Sequence, residues 1–137
     1  MAAQNPNAEL SREAYASWQA SKGDPAGWFG IIHDDIKLNS LPGGHPPLEF
    51  SAPRKGVEEL KAYLDSLTSD WSMNFHRFDE FIADGDRVVA VGHVSWTNKR
   101  TGKTVESPKV DVWRFRDGKA VEFNEFFDTA KAAAAAQ

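Results

Sequence analysis

The stretch that decides the fold is residues 109–127, KVDVWRFRDGKAVEFNEFF. It reads as two β-strands joined at Asp117-Gly118, a dipeptide typical of a tight hairpin turn. Two registers are possible. A two-residue loop would place Trp113 opposite Glu122 and give a mixed face. A three-residue loop with glycine in the bulge position pairs odd positions with odd positions, and five of the seven side chains on the resulting face are apolar.

We predict the second register, because it buries the better face. The residues on this face are Asp111, Trp113, Phe115, Val121, Phe123, Glu125 and Phe127. Two carboxylates, Asp111 and Glu125, then lie among aromatic rings. An unpaired ionised carboxylate is costly to bury, so we expect a raised pKa for at least one, or hydrogen bonds to both. A neutral acid can stabilise an oxyanion and an ionised one can accept a proton, which makes both candidate catalytic residues. The alternative is that both lie at the rim or are satisfied by local donors.

Period-two patterns predict the rest of an antiparallel meander, with strands at 73–83, 87–98, 103–115 and 120–127 and glycine in each connecting turn. A further short strand is predicted at 36–39. His93 lies on the odd face of strand 87–98, together with Val91 and Ser95, and is a candidate base because histidine titrates near pH 7. The even face is equally apolar, so alternation leaves open which face is internal. His76 is expected to face solvent.

The amino-terminal half is predicted to be helical. Apolar residues at every fourth position predict a helix over 8–21, and Asp24-Pro25 predicts the start of a second, short helix. That short helix would carry Trp28, Phe29, Ile31 and Ile32. A stripe at positions 57, 60, 64 and 67 predicts a third helix, after a loop over 41–55 rich in proline and glycine. The fold class is therefore α+β.

Composition limits the functional classes. The chain has 137 residues, 41% of them apolar, which fits one domain over 1–137, with a flexible segment at 1–7 and an alanine-rich tail at 130–137. It has no cysteine and a net charge of −4, so thiol chemistry is excluded and nucleic acid is not an expected partner. No apolar run predicts a membrane span or a secretion signal, so a cytoplasmic protein is expected. His33-Asp34-Asp35 is interpreted as a solvated turn, and neither a metal nor a cofactor is expected.

Several segments together carry a family resemblance: KGDP at 22–25, HDDIKL at 33–38, DGDRVV at 84–89, VDVWRFRDGK at 110–119 and FFD at 126–128. Their order and spacing are similar to those of the nuclear transport factor two-like superfamily, which includes the ketosteroid isomerases and the SnoaL-like polyketide cyclases. The resemblance covers nearly the whole chain. It implies a curved antiparallel sheet wrapped around three helices, a cone with an apolar pocket, and a homodimer.

The resemblance to ketosteroid isomerases implies roles for three positions. Tyr15 falls on the oxyanion-hole tyrosine and Asp111 on the protonated aspartic acid of those enzymes, an arrangement in which a neutral acid donates a hydrogen bond. The general-base position falls on Ser40, which has no useful basicity at neutral pH. Steroid isomerisation by that route is therefore not expected.

The resemblance to limonene-type epoxide hydrolases implies that Glu125 occupies the position of a water-activating carboxylate. His93 and Ser95 replace the arginine and aspartate of those enzymes. The residues expected to line the ligand pocket are Trp18, Trp28, Phe29, Ser40, Val91, Ser95, Trp113, Phe123 and Phe127. Two functions remain open. One is a cofactor-independent acid–base enzyme acting on a small hydrophobic carbonyl or hydroxyl compound, and the other is a catalytically silent module that binds such a ligand or dimerises.

Overall fold

The computed structural model describes residues 5–137, so the predicted flexible segment at 1–7 lies mostly outside the described residues. Its helices are α1 (Pro6–Ser21), α2 (Ala26–Phe29), α3 (Val57–Asp70) and α4 (Thr129–Ala135), with a 3₁₀ turn at Glu49–Ser51. The first helix begins earlier than predicted. The side chain of Asn5 accepts hydrogen bonds from the backbone N–H groups of Asn7 and Ala8, and this N-cap extends α1 back to Pro6.

Six strands form one open, curved sheet. They are β1 (Ile32–Ser40), β2 (Arg54–Lys55), β3 (Trp71–Asp84), β4 (Arg87–Asn98), β5 (Thr104–Arg116) and β6 (Lys119–Phe127). Their order across the sheet is β2-β1-β6-β5-β4-β3. The α+β class and the meander are confirmed. One pairing departs from the antiparallel pattern, because β1 runs parallel to β6.

The first strand is longer than the sequence predicts. Helix α2 ends at Phe29, and Ile32 opens β1 instead of continuing the helix. Ile31 and Ile32 are both buried, so the apolar run that suggested a helix is a buried turn and the start of a strand. A short apolar run does not distinguish these two structures by its periodicity.

Three β-bulges set which residues point inward. Each adds one outward residue to a strand: Asn74 and Asp79 in β3, and Val121 in β6. Inward positions are therefore three residues apart at these points, as in the step from Met73 to His76. Bulges bend a strand and increase its twist, which is consistent with the curvature of this sheet.

The β5–β6 hairpin has the predicted pairing, but its turn differs from the predicted one. Asp111 lies opposite Glu125 and Trp113 opposite Phe123, as predicted. The turn, however, is the two-residue loop Asp117-Gly118, both at positive φ. The bulge at Val121 restores the odd-with-odd pairing, so the prediction that Val121 faces inward is wrong, and Ala120 takes that place opposite Phe115.

The helices pack against this sheet around one apolar core. Helix α1 contacts β3 and β4, α3 contacts β1 and β3, and α4 contacts β5. The tail predicted at 130–137 is the docked helix α4, with Ala132 and Ala135 buried. Thr101 in the β4–β5 turn donates a hydrogen bond of 2.5 Å to the carbonyl oxygen of Ala135, and Arg100 donates to that of Ala136. Within residues 5–137 no helix is long and apolar enough to cross a membrane.

Candidate functional site

An apolar cavity of about 100 Å³ lies between the sheet and the helices. Its wall is mostly aromatic and aliphatic, with polar groups from β3, β5, β6 and α3 among the rings. The polar lining side chains and the rings beside them include Tyr15, Tyr63, His76, Lys109, Asp111, Trp113, Phe123 and Glu125. Concave, largely apolar sites with a few polar groups are typical of small-molecule binding.

The first half of a buried polar network joins α1 to β5. Trp113 donates its indole Nε1–H to the Tyr15 hydroxyl oxygen over 2.9 Å. Tyr15 in turn donates its hydroxyl proton to Oδ2 of Asp111. The Trp28 ring stacks on Trp113, with the ring centroids 5.4 Å apart, and meets Tyr15 edge to face. Because Asp111 is 1% exposed, Tyr15 supplies a hydrogen bond that water would otherwise provide.

The second half of the network runs through a lysine that the sequence analysis did not single out. Lys109 lies two residues before Asp111 on the same face of β5, and its Nζ is 2.9 Å from Oδ1 of Asp111 and 2.9 Å from Oε2 of Glu125. Tyr63, on α3, donates its hydroxyl to Oε1 of Glu125 over 2.8 Å. One ammonium thus joins the two predicted carboxylates, and each carboxylate also has its own tyrosine.

The local strand sequence makes room for this network. In β4 the residues opposite Lys109 and Asp111 are Gly92 and Ala90, the smallest available. A Cβ atom on Gly92 would lie 2.6 Å from the Phe78 ring, so glycine is what allows that ring to lie over β4. The Lys109 ammonium then sits 5.8 Å from the centroid of Phe78 and 5.5 Å from that of Phe123. These contacts to ring faces stabilise a buried cation.

Burial and the neighbouring charges shift the pKa values of the residues in this network. Burial raises the pKa of Asp111 above 3.8, and Glu125 adds to the rise, while Lys109 and Tyr15 oppose it. Burial alone would lower the pKa of Lys109, but the two carboxylates outweigh it and raise that pKa. Burial and the adjacent carboxylates also raise the pKa of Tyr15 and of Tyr63 well above 10.0. At neutral pH the site therefore holds a protonated lysine and two neutral tyrosine hydroxyls. Its aspartate has a pKa above the usual value and so protonates more readily.

His76 is a second residue that the sequence analysis placed wrongly. It was expected to face solvent, but it is 4% exposed and lines the cavity. The bulge at Asn74 causes the difference, because it puts Asn74 and Phe75 on the outer face and turns His76 inward. Burial lowers the pKa of His76 well below 6.5, and the positive charge of Lys109 lowers it further. The imidazole is therefore neutral near pH 7.

Strand β4 presents its even face to the cavity. Val94 and Trp96 line it, whereas His93 is exposed on the opposite face and pairs with Glu106, at 3.2 Å between Nε2 and Oε1. The odd face, whose residues Val91 and Ser95 were expected to line the pocket, is therefore the outer one. His93, Val91 and Ser95 do not line the cavity, and Ser95 Oγ accepts a hydrogen bond from Asn74.

The other predicted lining residues divide into two groups. Trp18, Trp28, Trp113, Phe123 and Phe127 line the cavity, and the structure adds Trp71 and Trp96 to this set. Phe29 packs against the core without reaching the cavity. Ser40 is buried beside Glu125 across the β1–β6 pair but does not line the cavity. In the part of the chain that the structure describes, no three His, Cys, Asp or Glu side chains converge as metal ligands.

The fold and site together define a class: an NTF2-like α+β cone with polar groups buried in an aromatic cavity. Residues 12–123 match the SnoaL-like domain family, and the chain belongs to that family. No curated protein matches the chain.

Solved structures agree with this assignment over nearly the full length. An NTF2-like protein of Burkholderia thailandensis is 29% identical, with a TM-score of 0.83 and coverage of 98% of this chain and 99% of that one. An NTF2-like protein of unknown function from Burkholderia pseudomallei is 26% identical, with the same TM-score and the same coverage. TerC, co-crystallised with polyporic acid, is 27% identical, with a TM-score of 0.80 and coverage of 96% and 98%.

Proposed function

We propose that this protein is an acid–base enzyme that acts, without a cofactor, on a small hydrophobic molecule bearing a carbonyl or hydroxyl group. One observation carries the proposal: Lys109 lies 2.9 Å from each of two buried carboxylates in the wall of an apolar cavity. A buried cation with two acids is expensive to hold in an apolar core. Ionisable groups with perturbed pKa values in a cleft are typical of catalytic sites.

The two acids differ in the ways that acid–base catalysis needs. Asp111 has a pKa raised mainly by burial, so it is suited to hold a proton and donate it to a ligand oxygen. Glu125 accepts a hydrogen bond from Tyr63 and is paired with Lys109, and these contacts orient its carboxyl group in the cavity wall as a candidate base. A ligand between them would meet an acid and a base from opposite strands of one hairpin.

Lys109 supplies the electrostatic part of this mechanism. An ammonium has three N–H donors, and the two carboxylates engage two of them at most in this geometry. The third is available to a ligand oxygen on which negative charge develops, such as that of an enolate. Preorganised charge in a cavity shielded from water stabilises such an oxygen more strongly than water does.

The size of the cavity limits the substrate. An apolar cavity of about 150 Å³ can hold benzene, so the cavity here, at about 100 Å³, is on the scale of one small ring. TerC was co-crystallised with polyporic acid, which supports a small organic molecule as the kind of ligand to test. We therefore favour cyclic ketones, enones and phenols as substrates over extended polycyclic compounds.

Proton transfer can be tested without knowing the natural substrate. Cyclohexanone and cyclohex-2-enone would be incubated with the protein in D₂O, and loss of the α-proton signals followed by ¹H NMR. A working base accelerates this exchange, and Glu125→Gln should slow it by about 10²-fold or more. Glu106→Gln is the matched control, because it removes an exposed carboxylate on the outer face of the sheet. Ring ketones that bind with no protein-dependent exchange would refute the enzymatic proposal.

The silent binding module is the second candidate, and a specific observation favours it. Hydrogen bonds and ion pairs join Tyr15, Asp111, Lys109, Glu125 and Tyr63, so these side chains hold one another in place without a ligand. In this reading the network keeps the core specific and the cavity binds an apolar molecule without converting it. Affinity for ring ketones with equal exchange rates in wild type and Glu125→Gln would support it.

A further inference from the structure

His76 is the one titratable residue of the cavity wall described above that stands outside the Tyr15–Tyr63 network. Its ring stacks on Phe78, with centroids 4.7 Å apart, and lies edge-on to Trp18 and Trp96 at 6.3 and 6.2 Å. Its backbone N–H donates to Oε1 of Gln19 on α1, so the main chain at this position is held independently of the imidazole.

The imidazole itself lacks a partner. Nδ1 of His76 is buried and has no hydrogen-bond partner among residues 5–137. A neutral imidazole carries one N–H donor and one lone-pair acceptor, and a buried one is ordinarily satisfied by a carbonyl, a carboxylate or water. An unsatisfied buried nitrogen destabilises the fold. A core position surrounded by aromatic rings would be filled at no such cost by phenylalanine, so packing alone does not account for histidine here.

The position of His76 makes a ligand the natural partner. It lines the same cavity as Lys109, Asp111 and Glu125. Its partner on β4 is Val94, and the neighbouring inward positions along β3 are Met73 and Phe78, so the residues that directly flank His76 in the wall are apolar. A ligand that filled the cavity would meet the charged network through one polar group and the imidazole through another.

We propose that His76 is a specificity-determining residue that hydrogen-bonds a second polar substituent of the ligand. This inference rests on the proposed function in that it assumes the same cavity is occupied. It narrows the substrate class to compact rings with two oxygen substituents, one directed to the Lys109 network and the other to His76. The second substituent is a hydroxyl, because a hydroxyl can donate to the imidazole lone pair or accept from its N–H.

The test is a comparison of binding, so it requires no turnover. Phenol, with one hydroxyl, and resorcinol and hydroquinone, with two, would be titrated by calorimetry into wild type, His76→Phe and Asp111→Asn. We expect wild type to bind at least one of the two dihydroxybenzenes about 3- to 10-fold more tightly than phenol, the gain typical of one net hydrogen bond. His76→Phe should remove this preference and leave phenol affinity unchanged. Asp111→Asn should weaken both kinds of ligand in parallel.

A spectroscopic measurement on the wild type complements the variants. In ¹⁵N-labelled protein the His76 ring resonances should move when the preferred dihydroxybenzene is added and stay in place with phenol. A buried structural histidine would respond equally to both. His76→Gln, which keeps a polar side chain, should retain part of the preference, and the wild-type spectrum still decides the matter if His76→Phe does not fold.

The outcomes separate this inference from the proposed function. Phenol binding with no preference for either dihydroxybenzene, or a preference that survives in His76→Phe, overturns the role of His76 and leaves the catalytic proposal untouched. Binding with the expected preference but no proton exchange refutes catalysis alone. Failure of all three phenols to bind overturns the role of His76, and the exchange of cyclohexanone α-protons then decides the catalytic proposal by itself.

Discussion

Replacing Lys109 with methionine should strongly destabilise the protein, because the substitution leaves two buried acids facing each other. Methionine keeps a long, unbranched side chain in the space between the Phe78 and Phe123 rings while removing the ammonium. The Lys109 side chain is 10% exposed, and those of its two partners are 1% and 3% exposed. These are not surface ion pairs, whose contribution is commonly below about 1 kcal/mol.

The expected magnitude follows from this burial. Removing one partner of a buried ion pair costs about 3–5 kcal/mol, because the remaining charge is left uncompensated. The stability of a domain of this size is about 5–15 kcal/mol, so Lys109→Met should lose from about a fifth of it to all of it. Urea denaturation at pH 7, monitored by fluorescence of the five tryptophans, would measure the change.

The pH dependence of the stability of Lys109→Met tests whether the loss is electrostatic. Without the ammonium, the pKa of Asp111 in the folded state rises further above 3.8, so the folded state binds more protons than the unfolded one. Stability of the variant should therefore increase as pH falls from 7 towards 5. The double variant Lys109→Met/Asp111→Asn should recover part of the loss at pH 7, since it removes one of the two acids.

The control is Lys61→Met, which removes an exposed lysine from α3 and should change stability by no more than about 0.5 kcal/mol. A loss of less than about 1 kcal/mol in Lys109→Met by the same assay, a value typical of a surface ion pair, would refute the reasoning. So would an unfolding free energy that differs from wild type by the same amount at pH 5 and pH 7.

Four further predictions concern single positions. Gly92→Ala should lower the free energy of unfolding, measured in urea, by about 1–3 kcal/mol, because the new Cβ would lie 2.3 Å from a backbone oxygen of β3. Gly30→Ala is the control and should be tolerated, because its nearest contact would be at 3.6 Å. Tyr63→Phe should lose about 1.5–3 kcal/mol by removing the donor to a buried carboxylate, and an unchanged urea midpoint would contradict this. Because burial holds the pKa of His76 below 6.5 in the folded state, wild type should lose stability relative to His76→Phe as pH falls below that value, which urea denaturation at pH 7 and pH 5 would measure. Thr101→Val should speed amide hydrogen exchange in α4 while leaving exchange in the central strands unchanged, because Thr101 holds only the carboxyl end of that helix.

The order and type of most elements were accessible from the sequence, because alternation in strands and apolar stripes in helices are strong signals. The pairing of Asp111 with Glu125 among aromatic rings was predicted from one hairpin, and the structure has it. Membership of the superfamily is confirmed by the match over residues 12–123. Topology that depends on contacts distant in sequence, such as the parallel pairing of β1 with β6, left no local signal.

Two residues of the site were missed although a signal existed. Lys109 lies two residues before Asp111, so alternation along β5 puts it on the same face. Because a lysine is rarely buried, its residue type argued against an inward position. Tyr63 is three residues after Leu60 and so lies on the buried stripe of α3. A buried pair of acids should prompt a search for a cation and for donors on the same inward positions.

The misplacement of His76 and Val121 has a common physical cause. A bulge shifts strand alternation by one residue, and its extra residue carries no distinctive composition: here it is Asn74, Asp79 or Val121. An outward face that carries Phe75 and Val91 also looks internal by hydropathy alone. Register errors of one residue exchange the two faces of a strand completely.

The three bulges also determine where the chain can change length. Deleting Asn74 would turn the bulge in β3 into regular pairing, and Met73 and His76 would both still face the cavity. Deleting a residue from an unbulged part of the same strand would instead exchange its inner and outer faces. Relatives in the family can therefore differ by one residue at the bulges and keep the same cavity wall. An alignment of their sequences should place its gaps there.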